Sequence, residues 1–213
     1  MPSDAGRRRG AVAGVVLAAG ESTRMGRNKL FLEVGGTTLL RGTVERARDA
    51  GLDPVIVVLG HEADRAADAL TGAPHRAVRN ADYKAGMHTS FRAGIAAVPD
   101  EAPAAVILLA DMPSVTSPMI AALVNRYRES AAPLVISEYG GVHAPPTLYD
   151  RSLFSEIRAM EGDGCGKQVV RRHREEAEVL AWPASRMADL DVPADLERLR
   201  ASGAADTACA TTS

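Results

Sequence analysis

Residues 12–32 read Val-Ala-Gly-Val-Val-Leu-Ala-Ala-Gly-Glu-Ser-Thr-Arg-Met-Gly-Arg-Asn-Lys-Leu-Phe-Leu. The apolar run Val12 to Ala19 shows neither helical spacing nor alternation, so it reads as a strand buried on both faces. It breaks into a loop holding Gly20, Arg24, Gly26, Arg27 and Lys29. Glycine lets such a loop turn sharply and lets a ligand approach its backbone. Arg24 and Lys29 can neutralise a triphosphate, with free backbone N–H groups adding donors. A first buried strand running into a basic, glycine-containing loop is the layout of a phosphate-binding loop. Leu17, Ala18, Ala19 and Gly20 are the candidate nucleotide-contacting backbone. An ordinary βα turn with surface cations is the plain alternative.

Two common phosphate-loop signatures do not fit. A Walker loop needs Gly, four residues and then Gly-Lys-Ser/Thr, whereas five residues separate Gly20 from Gly26 and Arg27-Asn28 precede Lys29. The dinucleotide fingerprint Gly-x-Gly-x-x-Gly fails as well, since Ala18-Ala19 precede Gly20 and neither 22 nor 23 is glycine.

What is present is Leu-Ala-Ala-Gly, a short polar loop, Arg-Met-Gly and Lys. Four further segments follow in order: Gly86-Met87-His88-Thr89-Ser90 with Arg92-Ala93-Gly94, Leu109-Ala110-Asp111-Met112-Pro113, Gly162-Asp163-Gly164, and Asp189-Leu190-Asp191-Val192-Pro193. Together, over roughly Val12 to Leu199, they resemble the MobA-like nucleotidyltransferases, and in particular the molybdenum cofactor cytidylyltransferases. The resemblance implies transfer of a nucleotidyl group from a nucleoside triphosphate to a small phosphorylated acceptor, with Mg²⁺ as cofactor. It also implies CTP, because Leu-Ala-Ala-Gly accompanies cytidylyl transfer in the group and Leu-Ala-Gly-Gly guanylyl transfer. The implied acceptor is molybdopterin, with a molybdoenzyme or its chaperone as the recipient of the product.

Composition is compatible. A chain of 213 residues with 46% hydrophobic and only 4% aromatic residues can bury one sizeable aliphatic core. Lys+Arg 25 against Asp+Glu 27 argues against nonspecific nucleic-acid binding, so phosphate recognition must come from local placement of charge. Cys165 and Cys209 suggest neither a disulfide framework nor a zinc site, which makes a reducing, cytoplasmic setting the default. The apolar run after Arg7-Arg8-Arg9 is too short and interrupted for a signal peptide or membrane span. Residues 1–10 and 201–213 read as disordered tails around one nucleotidyltransferase domain, 11–200.

Between the tails, strands are expected at 12–18, 54–59, 75–78, 104–110 and 134–137, with two more near 142–148 and 177–181. Helices are expected at 38–50, 62–70, 87–97, 117–129, 150–159, 166–174 and 193–200. This alternation predicts an α/β fold, a Rossmann-like three-layer α/β/α sandwich with a mostly parallel, mixed sheet and ligands beyond the strands' carboxyl ends.

That geometry brings Asp111, at the end of an apolar strand, to the same edge as the first loop. There it can offer a hard oxygen to Mg²⁺, although Asp before a proline turn is also common. The resemblance makes Asp191 the second metal ligand; an Asp ahead of a Pro-started helix also serves as a cap, and the two roles are compatible. In the resembling enzymes Asn80 and the segment around Thr89 and Ser90 lie near the base and sugar, though Thr89 and Ser90 can equally cap a helix. For the acceptor, His143 stands where the cytidylyltransferases have Gly-His-Pro, but here the text is Gly141-Val142-His143-Ala144-Pro145. Gly164 and Lys167 open a helix able to receive a phosphate.

No protein nucleophile is required. Arg24, Lys29 and Asp111 are the expected catalytic group, acting by charge neutralisation and alignment. Two rivals stay open. Members with the same Leu-Ala-Ala-Gly start are labelled nicotine blue oxidoreductases, and a noncatalytic carrier of the cofactor is the other.

Overall fold

The computed structural model describes residues 8, 10–21, 28–162 and 164–187. The helix expected at 193–200 therefore lies outside the described residues, as do Arg24, Gly26, Asp189 and Asp191.

The first strand, β1 (Ala13–Ala18), is buried along almost its whole length. Its side chains divide between two clusters: Val16 and Ala18 enter one, Ala13 and Val15 the other. An apolar residue is thus needed at every position, which explains the unbroken run in the sequence. After a short hairpin, β2 (Glu33–Val34) and β3 (Thr37–Thr38), the chain alternates. It forms α1 (Leu39–Asp49), β4 (Val55–Leu59), α2 (Ala63–Ala69), β5 (Arg76–Arg79), α3 (Met87–Ala96), β6 (Ala104–Leu109) and α4 (Ser117–Glu129). Then come β7 (Leu134–Tyr139), β8 (Val142–Asp150), α5 (Phe154–Ala159), α6 (Cys165–Arg172) and β9 (Ala177–Trp182).

Seven strands form one sheet in the order β5-β4-β1-β6-β8-β7-β9. β8 pairs antiparallel with both β6 and β7, while every other neighbouring pair is parallel. Helices cover both faces. Leu40, Val44, Ile120 and Leu123 from α1 and α4 pack in one cluster, and Phe91, Ile95, Phe154, Ile157 and Val169 from α3, α5 and α6 in the other. The burial of Leu39, Leu40, Thr43, Val44 and Ala47 along α1 is the stripe of a helix lying on a sheet. α3 packs tightly on the sheet, since a Cβ on Gly94 would run into Val15 of β1. The expected three-layer α/β/α architecture is present.

Three local expectations need correction. The β2–β3 hairpin was not expected; its strands have two residues each, too few for a periodic signal, and Gly35 and Gly36 form the turn at φ 62° and 82°. The strand expected to end at 148 continues to Asp150, because Ala104 of β6 still pairs there, so the following helix starts at Phe154 rather than 150. The strand expected from His75 begins one residue later. Among the described residues no helix is long and apolar enough to cross a membrane.

Candidate active site

The order of the strands reverses beside β1, which links outward to β4 on one side and is flanked by β6 on the other. Helical connections leave a crevice at such a point, beyond the strands' carboxyl ends. The register puts Leu17 opposite Leu109, so Ala19 and Asp111 emerge level with one another two residues further on. Two contacts fix this junction: Ala110 N–H donates to the Leu17 carbonyl at 3.4 Å, and Thr43 Oγ1 of α1 to the Ala110 carbonyl at 3.4 Å. His61 N–H reaches over from the end of β4 to the Ala19 carbonyl at 3.1 Å.

Lys29 arrives from the other side on a single 3-10 turn, Lys29–Phe31. The buried Asn28 caps this turn, its Oδ1 accepting from Leu30 N–H at 3.1 Å, and Leu30 is itself buried. Asn28 also meets Glu62, whose carboxyl is held below its ordinary range by Arg65 first and by Asn28 next. So anchored, Lys29 places Nζ 2.5 Å from Asp111 Oδ2, with the side chains only 15% and 22% exposed.

This pair borders a small pocket of about 120 Å³, also lined by Leu17, Ala18, Ala19, Gly20 and Ser90. Gly20 is exposed and does not adopt a left-handed φ, and a Cβ there would meet nothing within 4 Å. The fold itself therefore does not require glycine at 20; its bareness keeps the space above the loop open.

Asn80 sits behind that pocket rather than in its wall. Its Nδ2 donates to Thr89 Oγ1 at 2.8 Å and to Ser90 Oγ at 2.9 Å, and its Oδ1 accepts from Asp82 N–H at 3.0 Å. Gly86, at φ 116°, occupies the N-cap of α3 with no side-chain cap, so neither Thr89 nor Ser90 is the capping residue. Ser90 is buried and reaches the pocket, held by Asn80.

A second, larger cavity of about 860 Å³ adjoins the first and shares Leu17, Met87 and Leu109 with it. Its origin is a fork in the sheet. β8 pairs with β6 only from Thr147 to Asp150, and against β7 its register shifts between Ile136 and Glu138. Pro145 and Pro146 lie in the shifted segment, where neither can donate to a strand ladder. Past Thr147 the two strands part, and Ile107, Leu109, Ile136 and Thr147 line the opening. The expected acceptor residues His143, Gly164 and Lys167 also line it. His143 Nε2 lies 3.2 Å from Glu138 Oε2 across the β7–β8 pair.

Several lining residues were not foreseen: Met87, Phe91, Tyr149, Arg171 and Arg174. For the cations a signal existed, since Lys167, Arg171 and Arg174 follow the i, i+4, i+7 spacing of one helical face. Tyr149 and Phe91, with ring centroids 5.4 Å apart, come together only through tertiary packing.

A divalent cation fits this edge in part. Asp111 is a hard oxygen donor beside a space open to phosphates, and among the described residues no three His, Cys, Asp or Glu side chains group as a metal site. Asp111 would supply one ligand, with phosphate oxygens and water completing the shell as Mg²⁺ prefers.

Comparison with known proteins bears on this arrangement. Over 199 residues the chain is 29% identical to the purine catabolism protein PucB of Bacillus subtilis, covering 88% of this chain and 95% of that one. It is 28% identical over 171 residues to the nicotine blue oxidoreductase of Paenarthrobacter nicotinovorans, covering 76% and 82%. A probable molybdenum cofactor guanylyltransferase of Opitutus terrae is 29% identical over 197 residues, covering 89% and 95%. Among solved structures, Rv0371c of Mycobacterium tuberculosis in complex with manganese superposes with a TM-score of 0.74 at 29% identity, covering 91% of this chain and 100% of that one. The model of the MobA-like NTP transferase domain matches residues 14–177, which contain both pockets except Met187, and the chain belongs to that family.

Proposed function

We propose that this chain transfers a cytidylyl group from CTP to a phosphorylated acceptor, the molybdopterin form of the molybdenum cofactor, and releases pyrophosphate. The observation that carries the reading is the pair of adjoining cavities. The Lys29–Asp111 pair borders the smaller, and an apolar fork with basic side chains forms the larger. Two substrates can therefore meet at Leu17, Met87 and Leu109, which belong to both.

In the reaction an oxygen of the acceptor's phosphate forms a bond to the α-phosphorus of CTP, and the bond from that phosphorus to the bridging β-phosphate oxygen breaks. Pyrophosphate leaves with the electron pair. Lys29 holds the triphosphate and offsets charge that grows on the leaving group; Arg24, on the same loop in sequence, shares that role. Ser90, positioned by Asn80, and the Leu17–Gly20 backbone bind the nucleoside, and Ala19 narrows the space at the base in favour of cytosine. His143, Gly164 and Lys167 orient the acceptor phosphate for in-line attack. Asp111, with Asp191, would hold Mg²⁺, which when bound supplies Lewis-acid neutralisation of the phosphates. On this reading residues 11–200 form the working domain between two tails, in the cytoplasm, and a molybdoenzyme or its chaperone takes the product.

The relative named as a molybdenum cofactor guanylyltransferase supports the acceptor class but leaves GTP as the competing nucleotide. The nicotine blue oxidoreductase relative favours a second reading, reduction with a nicotinamide cofactor. One assay separates them: thermal stabilisation by CTP, GTP, ATP and NADPH, each with Mg²⁺, followed by pyrophosphate release on adding molybdopterin. A response selective for CTP, with pyrophosphate formed only when acceptor is present, is the expected result. Selective response to GTP overturns the base assignment, and response to NADPH alone overturns transfer.

A further inference from the structure

The larger cavity has a charge pattern that the transfer reaction alone does not require. No Asp or Glu is among the described residues that line it, whereas Lys167, Arg171 and Arg174 all do, in a chain with 27 acidic and 25 basic side chains. Other arginines are committed to carboxylates: Arg172 to Glu156 at 2.8 Å, Arg65 to Glu62 at 2.9 Å and Arg126 to Glu178 at 3.6 Å. Lys167, Arg171 and Arg174 have no such partner among the described residues. Three exposed cations with no carboxylate partner among the described residues, set at the rim of an apolar space, make an anion site.

Their spacing adds a dimension. Lys167 and Arg171 are one turn apart on α6, and Arg174 follows in the 3-10 turn Arg174–Glu176. At ~1.5 Å per residue the row extends roughly 10 Å. A lone phosphate is too small to engage a row of that length. Phe91, Ile107, Ile136, Tyr149 and Val170 meanwhile offer a surface for a flat ring system.

Resting on the transfer to a phosphorylated acceptor proposed above, though not on molybdopterin as that acceptor, we infer that the acceptor carries a second anionic group at the far end of its ring system, and that Arg171 and Arg174 select for it. They are specificity residues: acceptors with one anionic group bind through Lys167 and the apolar floor, and those with two gain the arginines.

Calorimetry with two probes tests this, 2-naphthyl phosphate and its 6-sulfonate derivative, which places a second anion at the far end of the ring. The probes are titrated into the wild-type chain and into the Arg171→Gln/Arg174→Gln variant, whose substitutions are exposed and keep much of the side-chain stem. The sulfonated probe should bind wild type at least about tenfold more tightly than the plain phosphate. That advantage should fall to about twofold or less in the variant, and should weaken in wild type between about 50 and about 300 mM NaCl. Affinity for CTP should be the same in both proteins. Equal affinity of the two probes for wild type, or an undiminished advantage in the variant, overturns the inference and leaves the transfer reading standing. If neither probe binds while CTP does, the inference and the acceptor pocket fail together. Probe binding as expected, with no pyrophosphate released from CTP and molybdopterin, supports the second anion site and removes molybdopterin as the acceptor.

Discussion

Lys29 and Asp111 form an ion pair at 2.5 Å, and their opposite charges predict opposite effects on nucleotide binding when either one is removed. With side chains 15% and 22% exposed, the pair lies between a surface bridge and a buried one. Breaking it should cost about 1 kcal/mol of stability, less than the 3–5 kcal/mol of a fully buried pair, because the survivor can recruit water. For a chain of this size that is a fall of about 2–4 °C in Tm. Turnover should respond far more. On the proposed reaction Lys29→Met removes a cation from charge developing in the transition state, and such losses are typically about 100- to 1000-fold in kcat. Asp111→Asn should lose a comparable factor through the oxygen that would hold the metal.

The two substitutions part company in nucleotide binding without divalent metal. On the proposed function Asp111→Asn removes a carboxylate that repels the triphosphate, so metal-free CTP should bind more tightly than to wild type. A separation of about 4 Å with an effective dielectric constant of about 20 gives a repulsion near 4 kcal/mol, which solvent at this partly exposed site reduces to about 1 kcal/mol, or about fivefold in Kd. Lys29→Met should weaken the same binding. Calorimetry in EDTA and then in MgCl₂, with melting curves as the control for folding, reads all of this. Full turnover in either variant, or metal-free CTP binding that Asp111→Asn leaves unchanged or weakens, would refute the reasoning.

Three more expectations concern the scaffold. Gly94→Ala places a Cβ against Val15 in the contact between α3 and β1, and overpacking of this kind should cost about 1–3 kcal/mol, read as a lower urea midpoint at unchanged m-value. The Arg8 guanidinium donates to the carbonyls of Tyr127, Ser130, Ala131 and Ala132 at 3.0–3.2 Å and lies 4.6 Å from the Tyr127 ring centroid, so Arg8→Ala should cost about 2 kcal/mol and lower Tm by about 4–8 °C. Glu156 has its carboxyl lowered first by a hydrogen bond with His173 and also by Arg172; its stabilising contribution is present above the unfolded-state value of about 4.3 and disappears as pH falls through the lower folded-state value. Urea titrations of wild type and Glu156→Gln should therefore differ at pH 7 and converge on acidification, and a gap that widens with acid would reverse the assignment.

The first strand was legible because both of its faces are buried, and a run with no polar residue has few other uses. Asp111 was legible for a related reason: it ends a second such run, and parallel strands deliver their carboxyl ends to one edge. The α1 stripe and the mainly parallel order followed from periodicity. The fork between β6 and β8 did not, because it depends on a register shift that local sequence does not encode, although Pro145-Pro146 marks the place. Asn80 is expected near the nucleoside from the resemblance; its hydrogen bonds to Asp82, Thr89 and Ser90 set it behind the wall of the smaller pocket, a distinction that needs side-chain positions. The spacing of Arg171 and Arg174 does not by itself mark a site, because a basic helix face usually meets solvent and both are exposed. The cavity they line becomes visible only in the folded chain.

The antiparallel placement of β8 gives the two-substrate reading its physical basis. A wholly parallel sheet would present the carboxyl ends of its strands along the edge and place a ligand above them. Here β8 runs the other way, so its amino-terminal end, Val142 to Pro145, stands at that edge beside the carboxyl end of β6. Because the prolines cannot complete the ladder, the edge opens into the sheet as well as above it. The smaller pocket then lies at the ends of β1 and β6, with Lys29, Met87 and Ser90 closing it, and the larger cavity lies mainly among β6, β8, α3 and α6. Backbone loops recognise what triphosphates have in common, whereas side-chain walls can change without moving the sheet. Acceptor choice should therefore follow residues such as His143, Tyr149 and Arg171, and transplanting them between members of the family should move acceptor preference while leaving nucleotide preference with Leu17 to Gly20.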